Sequence, residues 1–337
     1  MTKSMVSILI PTARRPELLT QALRSVAEQS ALSEVCEIIV SESAGDPHSG
    51  DVCRTFPDLP IKYILRNPQL QMTEHFSALK KAKWEGAYTA TLHDDDWWAP
   101  DFLRHAIDAL TTHPQASAYC CSNYLMSREN SLLETNGIIY SWFGANYPRF
   151  QAVWDLSSQD VLLACLLNTP AQYSTIVARA EDLREAASVF DTGNWWDGDR
   201  MILSELSRRG SVLYSPLPKV FSRRHSNQLT QAFTLEKRQR RSELTTQWLI
   251  DQAGETWQSA SRLFCERVKG CPPEDLEKLY CVAMNPWCLP LLVHHAEPQS
   301  DAAKLYQTIQ GPAGKRSLKK LIPPLLLDLR QALSRKR

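Results

Sequence analysis

Apolar residues come in short runs along the first hundred positions, each closed by a polar or proline-containing stretch. Val6 to Ile10 is one such run, ended by Pro11-Thr12, and it predicts a buried strand. Pro16 then opens a segment in which Leu18, Leu19, Ala22, Leu23 and Val26 share one helical face. Proline suits that first turn, because its missing N–H has no intrahelical partner to lose. Ile38-Ile39-Val40 and Ile61 to Leu65 repeat the strand signal, with loops rich in Gly, Asp, Pro and Ser between them. Thr73 stands where it can cap a helix whose inner positions are Phe76, Leu79 and Ala82. Ala87 to Leu92 is a fourth strand, and it stops at His93-Asp94-Asp95-Asp96. Strands alternating with helices predict βαβ units, hence an α/β fold with a mostly parallel sheet flanked by helices.

The pattern then changes. From about Ser127 to Ser158 the chain is aromatic and polar with little periodicity, which suits loops that meet an acceptor. Tyr173 to Ala178 reads as another strand, Met201 to Leu206 lies in a helix, and Ser211 to Phe221 returns as extended chain. Beyond about residue 231 come long helical stretches carrying Trp248 and Trp257, then a segment with Pro and Cys, then a basic tail. These shifts predict an α/β unit over residues 1–230 and a helical C-terminal region over 231–337.

Composition narrows the function classes. Hydrophobic residues make up 43% of the 337 and charged residues 22%, which is ordinary for a globular chain. With 38 Lys+Arg against 37 Asp+Glu there is no general nucleic-acid footprint, so any anion site is local. Nine cysteines occur without a C-x-x-C pair, which disfavours a zinc site or disulfide framework and fits a reducing cytosol. The opening Met1 to Ile10 reads as a strand rather than a signal peptide, and no stretch approaches the roughly 20 apolar residues of a membrane span. Lys315 to Leu327 sets basic residues beside a short apolar run, and Arg335-Lys336-Arg337 closes the chain. That pattern suits peripheral contact with an anionic membrane face, and equally a solvated tail.

In open α/β sheets ligands gather beyond the carboxyl ends of the strands. Three polar clusters fall there: Thr12 to Arg15, Glu42 to Asp46, and the acidic triplet. Hard divalent cations such as Mg²⁺ or Mn²⁺ take oxygen ligands, and Mg²⁺ is often shared between carboxylates and substrate phosphates. Asp94, Asp95 and Asp96 therefore suit a metal-bridged diphosphate, or else they cap the following helix near Pro100. Trp97-Trp98 and Trp195-Trp196 each adjoin an acidic cluster. One pair is expected to stack on sugar rings, the other to be core.

Taken together, VSILIPT at Val6–Thr12 with RPELL at 15–19, and HDDDWWAPD at 93–101, resemble glycosyltransferase family 2. These are inverting enzymes of GT-A fold, including those that build bacterial surface glycans. The resemblance covers about residues 5–230. It implies transfer of a sugar from a nucleotide diphosphate donor to a glycan or lipid-linked glycan, with Mn²⁺ or Mg²⁺ as cofactor. It implies a nucleotide loop at Pro11 and Thr12, with Arg14, Arg15 and Arg66 as weaker phosphate candidates. Ser41 and Glu42 stand where the family has two Asp residues that contact base and ribose, which leaves Glu42 as the carboxylate able to accept from a base N–H. His93 falls where many members have the first Asp of their DxD region. On that alignment Asp95 is the metal ligand, Asp94 faces the donor ribose or sugar, and Asp96 is a supporting or sugar contact.

The family's base lies in an acidic pair at the start of a late helix, which points to Asp199, with Asp197 as the rival because Gly198 replaces the neighbouring Glu. The late Arg-spacer-His motif is matched by Arg223 and His225, which implies a diphosphate contact and a metal ligand. The Gln-x-x-Arg-Trp sequence of the processive members is missing, so a single addition is expected. The family often works at the cytoplasmic face of the membrane, so a cytoplasmic or peripheral location is expected. Two other classes stay open: a nucleotidyltransferase, disfavoured by the Gly-free loop at 11–15, and a non-catalytic glycan-binding scaffold.

Overall fold

The structure, a computed structural model, describes residues 6–44, 47–80, 83–127, 130–136, 152–167, 169–192, 197–224 and 234–254. Its strands are β1 (Val6–Thr12), β2 (Val35–Glu42), β3 (Ile61–Leu65), β4 (Tyr88–Thr91), β5 (Trp97–Trp98), β6 (Ala116–Met126), β7 (Leu132–Asn136), β8 (Trp154–Leu156), β9 (Val177–Arg179) and β10 (Ser211–Arg223). They form one sheet in the order β3-β2-β1-β4-β9-β6-β10-β5, with β7 on β6 and β8 on β10. The four early strands pair in parallel, as their helical crossovers require. Beyond β4, strand β9 runs antiparallel to both its neighbours, and β10 runs parallel to β6.

Side chains alternate between two cores, one on each sheet face. Ile8, Ile10, Ile38 and Val40 face helix α1 (Pro16–Ala27) and, past α2 (Gly50–Arg54) and α3 (Met72–Lys80) along the chain, helix α4 (Phe102–Thr112). Leu9 and Ile39 face the other core, which holds α5 (Ser158–Leu167), α6 (Ala180–Ala186) and α7 (Gly198–Ser207). Leu19, Leu23 and Val26 of α1 are wholly buried, and burial of such side chains contributes about 1.5–3 kcal/mol each. Helix α8 (Leu235–Ala253) lies beyond the boundary expected near residue 230, yet Leu249 and Ile250 join the same core. Residues 255–337 lie outside the described residues. Among the described residues no helix is long and apolar enough to cross a membrane.

One strand escaped the pattern of apolar runs, and one expectation needs correcting. Strand β6 is one of the longest strands and central to the later half of the sheet, yet its sequence ASAYCCSNYLM carries no alternation. It is covered on both faces, so small and polar residues are buried alongside apolar ones. The strand expected over Tyr173–Ala178 is instead a 3₁₀ turn at Tyr173–Thr175 followed by β9 at Val177–Arg179. That turn places Ser174 beside the end of β4, where its hydroxyl meets the acidic triplet.

Candidate metal and donor site

The register aligns the carboxyl ends of three strands, with Thr12 opposite Glu42 and Glu42 opposite Leu65. The chain leaves β1 through Arg14, a non-glycine residue at φ 57°, a conformation that disfavours most side chains. Glu42 helps to hold it there. Its buried carboxylate accepts from the Arg14 N–H (3.4 Å), the His48 and Ser49 N–H groups (3.1 and 2.9 Å), the Ser49 hydroxyl (2.9 Å) and the Tyr63 hydroxyl (2.6 Å). Two carboxylate oxygens offer about four acceptor sites. These protein donors occupy the acceptor sites that a base N–H would need at Glu42. The Arg14 guanidinium turns the same way, donating to Ala44 O at 3.0 Å.

Arg15 points instead toward β4. Its Nη1 lies 3.2 Å from Asp94 Oδ1 and 3.3 Å from Asp95 Oδ2, and the Thr12 hydroxyl donates to Asp94 Oδ2 at 2.7 Å. Asp96 is turned the other way, accepting from the Ser174 hydroxyl (2.6 Å) and the Arg223 N–H (3.1 Å). All three carboxylates are buried. Burial first, and then the Asp95 charge, push Asp94 up to about 6 and Asp96 up to about 7. None of the three caps α4, whose N-cap position is Asp101.

Ligand atoms of His93, Asp95 and Asp96 lie within 4.8 Å of one another. The His93 Nε2 atom is buried and finds no hydrogen-bond partner among the described residues. The other ring nitrogen, Nδ1, lies 4.0 Å from Asp96 Oδ2, and an imidazole beside crowded carboxylates fits a divalent cation, which relieves the cost of burying their charges together. His93 is the ligand candidate that sequence reasoning passed over, and its only signal was its place at the end of β4, next to the acids. Thr12 and Ser174 hold the outer oxygens of Asp94 and Asp96, so their contribution is to orientation.

The acidic pair on α7 separates cleanly. Asp197 lies at the N-cap of α7 and pairs with Arg200 at 3.1 Å. Arg200 is 1% exposed and also donates to Cys165 O of α5 and the Thr246 hydroxyl of α8. Asp197 thus balances a buried cation that ties three helices together. Asp199 faces His93 and Tyr173, and burial raises it to about 6, with the Asp197 charge adding to the rise and the His93 charge and Tyr173 N–H opposing it. At Gly198, between the two acids, a Cβ would sit 2.8 Å from the Phe190 ring, so a side chain there needs that ring to shift.

Other expected contacts are placed elsewhere. Trp98 is core: 2% exposed, tilted on Phe102 and donating to Ser174 O, so it has no face for a sugar. Trp97 is half-buried, stacked on Phe221, which in turn stacks on Tyr124. The Arg223 guanidinium lies over Trp97, 4.9 Å from the ring centroid, and its Nη2 donates to Gln21 and Asn130. Arg223 is 3% exposed, so its fork is turned onto protein rather than outward to a diphosphate. Arg66 follows β3, the edge strand, at the same carboxyl end, and donates to Ser41 beside the buried His75. Pro11 continues β1 into the loop. His225, Trp195 and Trp196 lie outside the described residues.

Residues 7–157, a little under half of the chain, match the family described as Glycosyl transferase family 2. Among solved structures, residues 1–349 of TarS from S. aureus in complex with UDP-GlcNAc superpose with a TM-score of 0.57. The identity is 12%, over 88% of this chain and 83% of that one. The same protein in complex with UDP gives a TM-score of 0.51 at 14% identity, over 94% and 88%. The fold is GT-A. No curated protein sequence matches the chain. Within the GT-A frame, the acids after β4 and the carboxylate of α7 converge from two separate parts of the sequence on one end of the sheet.

Proposed function

We propose that this protein is a divalent-metal-dependent, inverting glycosyltransferase that moves a sugar from a nucleoside diphosphate donor to a glycan or lipid-linked glycan acceptor. The observation that carries the reading is the clustering of His93, Asp95 and Asp96 within 4.8 Å, joined by Asp199, a buried carboxylate raised to about 6 that feels the His93 charge. The family match over 7–157 and the likeness to a fold crystallised with UDP-GlcNAc and UDP support it.

His93, Asp95 and Asp96 would hold Mn²⁺ or Mg²⁺, which supplies charge stabilisation for a departing diphosphate. Asp94, oriented by Thr12, faces the donor. Asp199 takes the proton of the acceptor hydroxyl as that oxygen attacks the anomeric carbon, while the bond to the diphosphate oxygen breaks and the diphosphate leaves with its electron pair. Inversion follows from a single displacement. Trp97 is half-buried against Phe221 and the Arg223 guanidinium, so sugar stacking falls to Trp195 and Trp196 by residue type, and His225 stays a metal ligand by resemblance alone. Cytoplasmic placement and contact of the basic C-terminal tail with an anionic membrane belong to the same proposal.

The test is release of sugar from a panel of nucleotide sugars, with and without EDTA. Wild-type protein hydrolyses one donor slowly in a metal-dependent way, and Asp95→Asn does not. Equal rates with EDTA would remove the metal from the reading, and no turnover of any donor, even with added glycan acceptors, would return the non-catalytic scaffold.

A further inference from the structure

Asp95 is claimed twice. It belongs to the His93–Asp95–Asp96 cluster, and it also pairs with the Arg15 guanidinium at 3.3 Å. We infer that Arg15 is an exchangeable counter-ion, neutralising Asp94 and Asp95 in the empty protein and passing to the donor diphosphate when a divalent cation takes its place. This positioning role rests on the metal-dependent donor reading above and adds to it a coupling between the two ligands.

The backbone around Arg15 is fixed, and its side chain is partly open to solvent. Arg14 at φ 57° is pinned through the Glu42 carboxylate and Ala44 O, and Pro16 begins α1 immediately afterwards. The Arg15 side chain is 24% exposed, against 6% and 11% for Asp94 and Asp95. It therefore reaches the acids from the solvent side, the side from which a donor enters. A guanidinium and a divalent cation within a few ångströms repel each other, and both need Asp95. The displaced guanidinium keeps a forked set of donors whose geometry matches phosphate oxygens.

Metal alone must then displace Arg15 without giving it a new partner, whereas metal with a diphosphate gives it one. Binding of the two is coupled, and the coupling is reciprocal.

The experiment is calorimetric titration of full-length wild type, Arg15→Gln and Arg15→Lys. Each is titrated first with Mn²⁺ alone. Each is then titrated at saturating Mn²⁺ with whichever of UDP, GDP, CDP or dTDP the wild type binds most tightly. Arg15→Gln is expected to bind Mn²⁺ alone about 10-fold more tightly and the nucleotide about 10-fold more weakly, within the usual range of coupling. Arg15→Lys, which keeps the charge, should leave the Mn²⁺ affinity near wild type and lose part of the nucleotide affinity. A purely structural role would weaken both ligands in Arg15→Gln, and that result overturns the inference, as does an unchanged Mn²⁺ affinity. If Mn²⁺ binds neither wild type nor Arg15→Gln, the metal reading falls and this inference with it.

Discussion

Asp197 and Asp199 stand two residues apart at the start of α7, and their surroundings give them different work. Asp197 balances Arg200 at 3.1 Å, so Asp197→Ala takes a carboxylate away from a buried guanidinium. The expected loss is about 3–5 kcal/mol of stability, read by denaturant unfolding. Asp199→Asn is expected to keep donor binding and lower transfer by about 10²–10⁴-fold, the usual contribution of a general base.

The same substitution has a pH signature without metal. Burial holds the Asp199 carboxyl at about 6 in the folded protein, against its ordinary 3.8. The folded state thus binds this proton more tightly than the unfolded state. Its contribution to stability is present below about pH 4, falls as pH rises to about 6, and is lost above. Asp199→Asn should therefore gain up to about 3 kcal/mol over wild type at pH 8 and little near pH 4, by thermal unfolding in EDTA. An equal gain at both pH values would show that Asp199 is not the buried acid described.

Residue roles were legible in the sequence only in part. The acids after β4 and the candidate Asp199 could be named from their places at element ends. Glu42 and Trp98 could not be assigned, because a residue type does not reveal whether its partners are protein or ligand. Five donors converge on Glu42 from four different residues, and that convergence exists only in three dimensions.

At the scale of elements, the strands with clear apolar runs between polar loops were readable, and these are β1 to β4. β6 was not, because a strand covered on both faces loses its alternation, and Ser117, Ser122 and Asn123 are buried there beside Ala118 and Tyr119. Close packing at its start also explains a glycine. A Cβ on Gly210 would lie 2.4 Å from Gln115 O and 2.9 Å from Ser117 N, both backbone atoms. Gly210→Ala must push the α7–β10 connection off β6, at a cost of about 1–3 kcal/mol as for other overpacked sites. Urea unfolding measures that loss, and donor affinity per folded molecule should be unchanged. A variant as stable as wild type would mean that the connection is free to move.

Across the whole molecule, one end of the sheet carries the chemistry because the parallel strands all finish there. The local pattern of apolar runs was enough to place Thr12, Asp94, Asp95 and Asp96 at that end. The later contributions from Ser174, Asp199 and Arg223 depend on β9, α7 and β10 folding back across the sheet, where sequence separation hides the neighbours. The central claim is that this end binds a nucleoside diphosphate through a divalent cation. Calorimetric titration of UDP, GDP, CDP and dTDP into the wild-type protein, each with Mn²⁺ and with EDTA, tests it most directly. Binding of one of these nucleotides that disappears in EDTA is the predicted result; binding that EDTA leaves unchanged, or no binding of any of the four, contradicts it.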